Sequence, residues 1–341
     1  VVETKGARME DIGAVLMPGQ PITGNVDNIL QITGSLDDPQ LQGRVHFYEG
    51  SYHGMLLTGA HGTYSRHDGR LQLEDFSVAS PFVTMHFHGT MDAEGNINFL
   101  VKADDIHLDK VNTRLPYPVS GTASFSGTLS GTLSSPVFGG SLEAKELILN
   151  GQKIVDAGGR IEYRNDILYL KDVAFRQNGG AFAMTALLGD SGAQGSITAK
   201  RADVNALLAI ANYKNDILQG HLDGKISFGG TFANPIASME GVIATGTLKG
   251  YPLSNINIDV SLADHVLHLN RFYGEQGLGK VAAQGTLERE DGILSGRISA
   301  QDIDAGLLST LTNMSADLKG TLNLDAQIAG TVDNPAAAIS I

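Results

Sequence analysis

The 341-residue sequence contains no cysteine and no tryptophan. The first absence excludes a disulfide framework and thiolate chemistry, while leaving the compartment open. Charge is sparse as well: only 18% of residues are Asp, Glu, Lys or Arg, and 24 cations face 37 anions for a formal net charge of −13. A chain so short of cations does not hold a nucleic acid by neutralising phosphates. No apolar run approaches the ~18–20 residues that span a bilayer as a helix. The opening Val1-Val2-Glu3 has neither an initiator Met nor a secretory leader, so the chain reads as a segment of something longer. What is present is hydrophobic material, 42%, which is enough for a large buried surface and excludes disorder. Glycine is abundant too: 42 residues, well above the usual ~7%.

The glycines are placed periodically. Gly34-Ser-Leu-Asp-Asp-Pro39, Gly131-Thr-Leu-Ser-Ser-Pro136, Gly230-Thr-Phe-Ala-Asn-Pro235 and Gly330-Thr-Val-Asp-Asn-Pro335 share one pattern, with prolines 97, 99 and 100 residues apart. Fifteen residues before each proline stands Gly24, Gly121, Gly220 or Gly320, and fifteen after the first three stands Gly54, Gly151 or Gly250. Farther on, Leu71-Gln-Leu73, Leu168-Tyr-Leu170 and Leu267-His-Leu269 coincide, as do Phe76, Val173 and Phe272. A repeat of roughly a hundred residues is the simplest source of so many ungapped coincidences. The expected organisation is the tail of a preceding repeat over 1–23, repeats over 24–120, 121–219 and 220–319, and the start of another over 320–341.

Within a repeat the hydrophobic period is two, as in Arg70-Leu-Gln-Leu-Glu74, Thr84-Met-His-Phe-His88 and Asn255-Ile-Asn-Ile-Asp-Val260, which is the pattern of strands with one apolar face. Asp68-Gly69, Glu94-Gly95, Asn165-Asp166 and Asp291-Gly292 are turn signals, and connections this short make neighbouring strands antiparallel. About six strands per repeat are expected. Each repeat closes on a helical signature: Asp203 as N-cap with Val204, Leu207, Leu208 and Ala211, then Asp302 with Ile303, Leu307, Leu311 and Met314. Asp11-Ile12 and Asp105-Ile106 look like shorter versions.

The apolar face is assigned to Leu30, Ile32, Leu71, Leu73, Met85, Phe87, Leu168, Leu170, Phe182, Met184, Ile226, Phe228, Leu267, Leu269, Val281 and Ala283, with Ala326 and Ile328 opening the next repeat. Two architectures are open on this pattern. Each repeat could close on itself as an immunoglobulin-like sandwich, giving a surface stalk or adhesin. Alternatively one antiparallel sheet runs through all repeats and curls lengthwise into a U-shaped groove, its short helices at repeat junctions. Absence of spacers between repeats favours the groove, because boundary strands could then pair, and glycine suits strong curvature.

The segment Gly131-Thr-Leu-Ser-Ser-Pro-Val-Phe-Gly-Gly-Ser-Leu-Glu-Ala-Lys-Glu-Leu-Ile-Leu-Asn-Gly151, followed by Ile167-Leu-Tyr-Leu-Lys-Asp-Val173, resembles the repeat of the TamB (translocation and assembly module) branch of the AsmA-like superfamily. The resemblance covers all three repeats. It implies an all-β taco-like groove, residence in the periplasm of a diderm bacterium, an inner-membrane anchor outside this segment, and phospholipid acyl chains as cargo moving between inner and outer membranes. It also implies an alternative role in assembling outer-membrane proteins with an Omp85-type partner, through parts absent from this sequence. Neither a nucleic acid, a cofactor nor a catalytic residue is implied.

Three motifs are weighed and set aside. Gly189-Asp-Ser-Gly192 matches a protease nucleophile tetrad but falls where a hairpin turn is expected. Gly274-Glu-Gln-Gly-Leu-Gly-Lys280 is close to a Walker A loop, yet Val281 replaces the required Ser or Thr and a strand follows. His86 and His88 could share a metal, but corresponding positions hold Ala183 with Thr185 and Ala282 with Gln284, so a solvated polar face is expected.

Overall fold

The computed structural model describes residues 1–11, 21–35, 39–110, 118–210, 217–311 and 318–340. The chain is all-β, with twenty-two strands among these residues in one open antiparallel sheet. It divides into two compact units. Unit 1 is Val1–Leu147 with Gly158–Leu168, and unit 2 is Ile148–Ala157 with Tyr169–Ile341.

Unit 1 is built on β1 (Val2–Arg8), β2 (Ile22–Gly34), β3 (Pro39–Tyr52), β4 (Met55–Leu57), β5 (Gly59–His67), β6 (Arg70–Ala79), β7 (Thr84–Met91), β8 (Asn96–His107), β9 (Val119–Thr132) and most of β10 (Ser135–Leu149). Neighbours in sequence are neighbours in the sheet, except that β4 and β5 both lie against β3. Strands β11 (Gln152–Arg164) and β12 (Ile167–Gln177) straddle the division. Unit 2 continues through β13 (Gly180–Leu188), β14 (Ala193–Asp203), α1 (Val204–Ile210), β15 (Leu218–Gly230), β16 (Pro235–Leu248), β17 (Tyr251–Ala263), β18 (Val266–Gln276), β19 (Gly279–Glu288), β20 (Leu294–Asp304), α2 (Ala305–Leu311), β21 (Thr321–Gly330) and β22 (Pro335–Ser340). From β13 to β22 every strand pairs with its successor. This is a meander, and among the described residues it lacks the Greek-key returns that tandem sandwiches require.

Two devices fix the register. Two-residue turns with both residues at positive φ occur at both strand ends: Lys249-Gly250 precedes β17 and Asp264-His265 follows it, and Asp68-Gly69 is a further case; their twist matches that of the flanking strands. The Gly-Thr-x-x-x-Pro motif makes a different turn. Gly131, Gly230 and Gly330 have φ of 85°, 85° and 105°, and a Cβ on each would stand 2.5–2.6 Å from the carbonyl oxygen of Ser135, Asn234 or Asn334. Thr132, Thr231 and Thr331 accept on Oγ1 the N–H of Ser135, Asn234 and Asn334 at 3.0–3.2 Å.

The second device is the β-bulge. Register shifts interrupt the ladders between Ala103 and Ile106, Ala199 and Ala202, and Ala300 and Ile303. The residue turned into the left-handed region there is Asp105, Arg201 or Asp302. Arg201 N–H donates to Asp223 Oδ1 (2.6 Å), Asp302 N–H to Asn323 Oδ1 (2.9 Å), and Gly6, at φ 60° in β1, to Asp27 Oδ1 (2.7 Å). A short polar side chain on the next strand thus satisfies the amide that the bulge removes from the ladder.

Asp203 caps α1 as expected, accepting from Asn205 and Ala206 N–H. The second cap is Asp304, which accepts from Gly306 N–H at 2.8 Å; Asp302 is instead the bulge residue and Ile303 is still in β20. The displacement comes from the β19–β20 turn. Residues 288–293 lie between paired Leu287 and Leu294, whereas only 189–192 lie between paired Leu188 and Ala193. Asp105 and Ile106 belong to β8 and start no helix. Ile12, Ala211 and Met314 lie outside the described residues.

Asp304→Ala is expected to cost about 1 kcal/mol in a urea melt, whereas Asp302→Asn, which tolerates the left-handed conformation, leaves the midpoint unchanged. The reverse ranking would return the cap to Asp302.

Candidate functional site

Strand pairing sorts the side chains of each unit into rows that cross the sheet. In unit 2, Phe182, Ala199, Gly224, Gly241, Ile258, Phe272, Ala283, Ile298, Ala326 and Ile339 face one another in sequence from β13 to β22. Two residues along each strand, or three across the bulge in β18, runs a parallel row: Met184, Ile197, Ile226, Met239, Val260, Leu269, Gly285, Gly296, Ile328 and Ala337. A third follows through Ala186, Gly195, Phe228, Ala237, Leu262, Leu267 and Leu287. No charged side chain interrupts any of them.

These rows are not equally covered. Nearest the bulges, Leu222, Ile243 and Ile256 are paired and almost sealed, the two isoleucines at 0% exposure. Val204, Leu207 and Leu208 of α1 and Leu307 of α2 pack into this same cluster. The row through Met184 and Leu269 is half-buried. Toward the Gly-Thr-x-x-x-Pro turns the third row is half-buried at Phe228, Ala237, Leu262 and Leu287, with Leu267 37% exposed and Ala186 5%. The apolar face of unit 2 is sealed at the helix end of its strands and only partly covered beyond it.

In unit 1 the row Leu30, Gly43, Tyr64, Leu73, Gly89, Phe99 and Leu129 crosses β2 to β9. Its neighbour toward the β2–β3 turn holds Ile32, Leu41, Arg66, Leu71, Met91 and Ile97. Met85 and Phe87 pack onto the cluster of Val83, Ile97, Phe99, Val101, Ala103 and Phe125. Ile32 is 52% exposed. Leu168 and Leu170 are half-buried on β12.

The residues assigned to the apolar face from sequence therefore divide by depth. Phe182 and Val281 are core, 4% and 5% exposed, with Phe182 stacked on Phe175 at 4.8 Å. Met184, Ile226, Phe228, Leu269 and Ala283 are half-buried, while Ile32 and Leu267 stand at the open margin. Sequence reading missed Ile97, Phe99, Val101 and Ala103, although Asn96-Ile-Asn-Phe-Leu-Val-Lys-Ala103 carries a clear alternation and every second residue is buried. It also missed Ile197, Met239, Val260 and Ile298, which complete the rows.

The opposite face is polar. In unit 2, Ser196, Ser227, Ser238, Ser261, His268, Thr286 and Ser295 form one row. Lys225 faces Glu240, Asp259 faces Arg271, and Arg297 bonds the carboxylate of Asp325. In unit 1, His46 faces His61, with rings 6.3 Å apart, and His61 bonds Ser77 at 3.1 Å. His86 and His88 are both exposed on this face, and among the described residues no three His, Asp or Glu side chains converge as a metal site would need. Gly189–Gly192 is the β13–β14 turn, and Gly274–Lys280 spans the β18–β19 hairpin. Among the described residues, no helix is long and apolar enough to cross a membrane. No family model, curated protein or solved structure matches the chain.

On the polar face several carboxyls sit below their ordinary values. Asp27 is held down first by the Tyr48 hydroxyl, then by Gly6 N–H and the charge of His46. Asn96 does the same for Asp92, and Asn255 with Tyr273 for Glu275. Depressed carboxyl pKa values stabilise the fold above the ordinary carboxylate range, and that contribution disappears as pH falls through the lowered values. The urea midpoint should therefore stay level from about pH 7 to 5 and drop below about pH 4, and Asp27→Asn should flatten the drop. An acid limb identical in the variant would remove Asp27 from this role.

Proposed function

We propose that the apolar face is a conduit for lipid acyl chains, and that the repeats continue one groove along which phospholipid moves between the two membranes of a diderm envelope. The observation that carries this reading is the uneven cover of the apolar rows in unit 2: sealed beside the helices and half-buried beyond them, with Leu267 exposed toward the turns. A filled globular core would be closed on both sides. Hydrocarbon has reason to occupy such a face, because each CH₂ removed from water contributes ~0.8 kcal/mol, so a sixteen-carbon chain left in water costs on the order of 10 kcal/mol. Rows of interchangeable Leu, Ile, Val, Phe and Met give a sliding chain many positions of similar energy. The polar headgroup stays wetted beyond the open margin.

The reading agrees with the resemblance of the Gly131–Gly151 segment to the TamB repeat, from which the periplasmic setting, an anchor elsewhere in the parent and an Omp85-type partner are inferred. Surface-stalk function loses its structural premise, since tandem sandwiches need strand returns that the meander lacks among its described residues.

Adjacent residues on β18 give a clean test, because Leu267 lies in an apolar row and His268 in the serine row. A photoreactive side chain at 267 should cross-link phospholipid during purification from a diderm host, while one at 268 should not. Equal labelling at both positions, or none at 267 together with no lipid in extracts above a control protein, would refute the conduit.

A further inference from the structure

We infer that the apolar third residue of the Gly-Thr-x-x-x-Pro turn, present as Leu133, Phe232 and Val332, forms a lip over which acyl chains pass sideways onto the apolar face. The inference rests on the conduit reading above and adds where the cargo loads.

Every other fixed residue of the motif has a role within the turn. The glycine occupies the left-handed region with a carbonyl oxygen 2.5–2.6 Å from where a Cβ would be, and the threonine supplies Oγ1 to the amide three residues on. Proline opens the following strand in β16 and β22. The apolar residue contributes nothing comparable to the turn, since Leu133 is 37% exposed, Phe232 62% and Val332 57%. Four copies of the motif nevertheless keep an apolar residue there, Leu36 being the fourth. A single exposed apolar side chain is unremarkable; Leu278, 96% exposed at the opposite strand end, is one, and the matching position in the preceding copy is Gly179.

The backbone beneath two of these side chains is also held. Phe232 N–H donates to Ser191 carbonyl and Val332 N–H to Gly292 carbonyl, both at 3.0 Å, beside the bridges Gly192 to Thr231 and Ile293 to Thr331. The same construction presents an aromatic ring once and a small branched side chain once. That variation identifies the occupant. A protein partner recognises fixed shapes in fitted pockets, whereas fluid hydrocarbon accepts Leu, Phe or Val alike. The turns also stand at the end of the apolar rows, just past half-buried Phe228 and Ala237.

The test combines Leu133→Ser, Phe232→Ser and Val332→Ser in one chain and mixes it with phosphatidylcholine vesicles carrying pyrene-acyl phosphatidylcholine. The melting temperature and final pyrene uptake should match the parent, while loading slows by about fivefold or more, corresponding to loss of roughly 1 kcal/mol of transient burial. Replacing Phe232 and Val332 by Leu should restore the parent rate. Unchanged loading with normal uptake overturns the lip and leaves the conduit standing. Absence of uptake by the parent chain overturns the conduit itself. Early melting of the triple variant, or a change in its oligomeric state, overturns the inference by giving the apolar residue a folding or self-association role.

Discussion

A pleated strand presents its two faces in strict alternation, so pairing in the wrong register by one residue exchanges apolar for polar along its whole length. This constraint governs the molecule. Two-residue turns set the register at both strand ends, joined at one of them by the Gly-Thr-x-x-x-Pro turns. Between them, amides displaced by bulges at Gly6, Arg201 and Asp302 are satisfied by Asp27, Asp223 and Asn323. Only because these pairings hold do Phe182 on β13 and Ile339 on β22 belong to one row.

The described strands belong to one sheet, in contrast to the two of a sandwich. The short helices supply cover only locally, where Val204, Leu207 and Leu307 enter the core of unit 2. In unit 2 they stand at the bulged strand ends beside the sealed row, whereas in unit 1 every second residue of β8 from Ile97 to Ala103 is buried within the sheet's own cluster. A stable interior and an accessible apolar surface are thereby obtained from the same strands, in successive rows. The proposed carriage of acyl chains depends on that separation, since a face open throughout would leave too little buried surface to hold the strands, and a face closed throughout would leave no room for cargo.

Much of this was legible in the sequence. Period-two alternation marked antiparallel strands, and Asp-Gly and Asn-Asp pairs marked the turns. Depth was not legible: Phe182 and Met184 look equivalent in an alternating pattern, yet stacking on Phe175 makes the first core. That difference depends on residues brought across from other strands. The second helix cap was misplaced for a similar reason. Asp203 and Asp302 align in sequence, but extra residues in the β19–β20 turn move the cap to Asp304, and the resulting offset appears only once Leu287 is seen opposite Leu294. The bulge roles of Asp105 and Asp302 were hidden because an aspartate before an isoleucine suits a helix start as well as a kinked strand.

The longer β19–β20 turn has an evolutionary consequence. Turn length escapes the parity rule, since the flanking residues stay paired on one face whether the turn holds 92–96, 189–192 or 288–293. A solitary insertion inside a ladder would turn every following side chain over, unless a bulge took up the surplus. Turns are therefore places where the chain can vary in length by odd or even numbers, five, four and six residues in these three cases, while the apolar side of the fabric stays the same side.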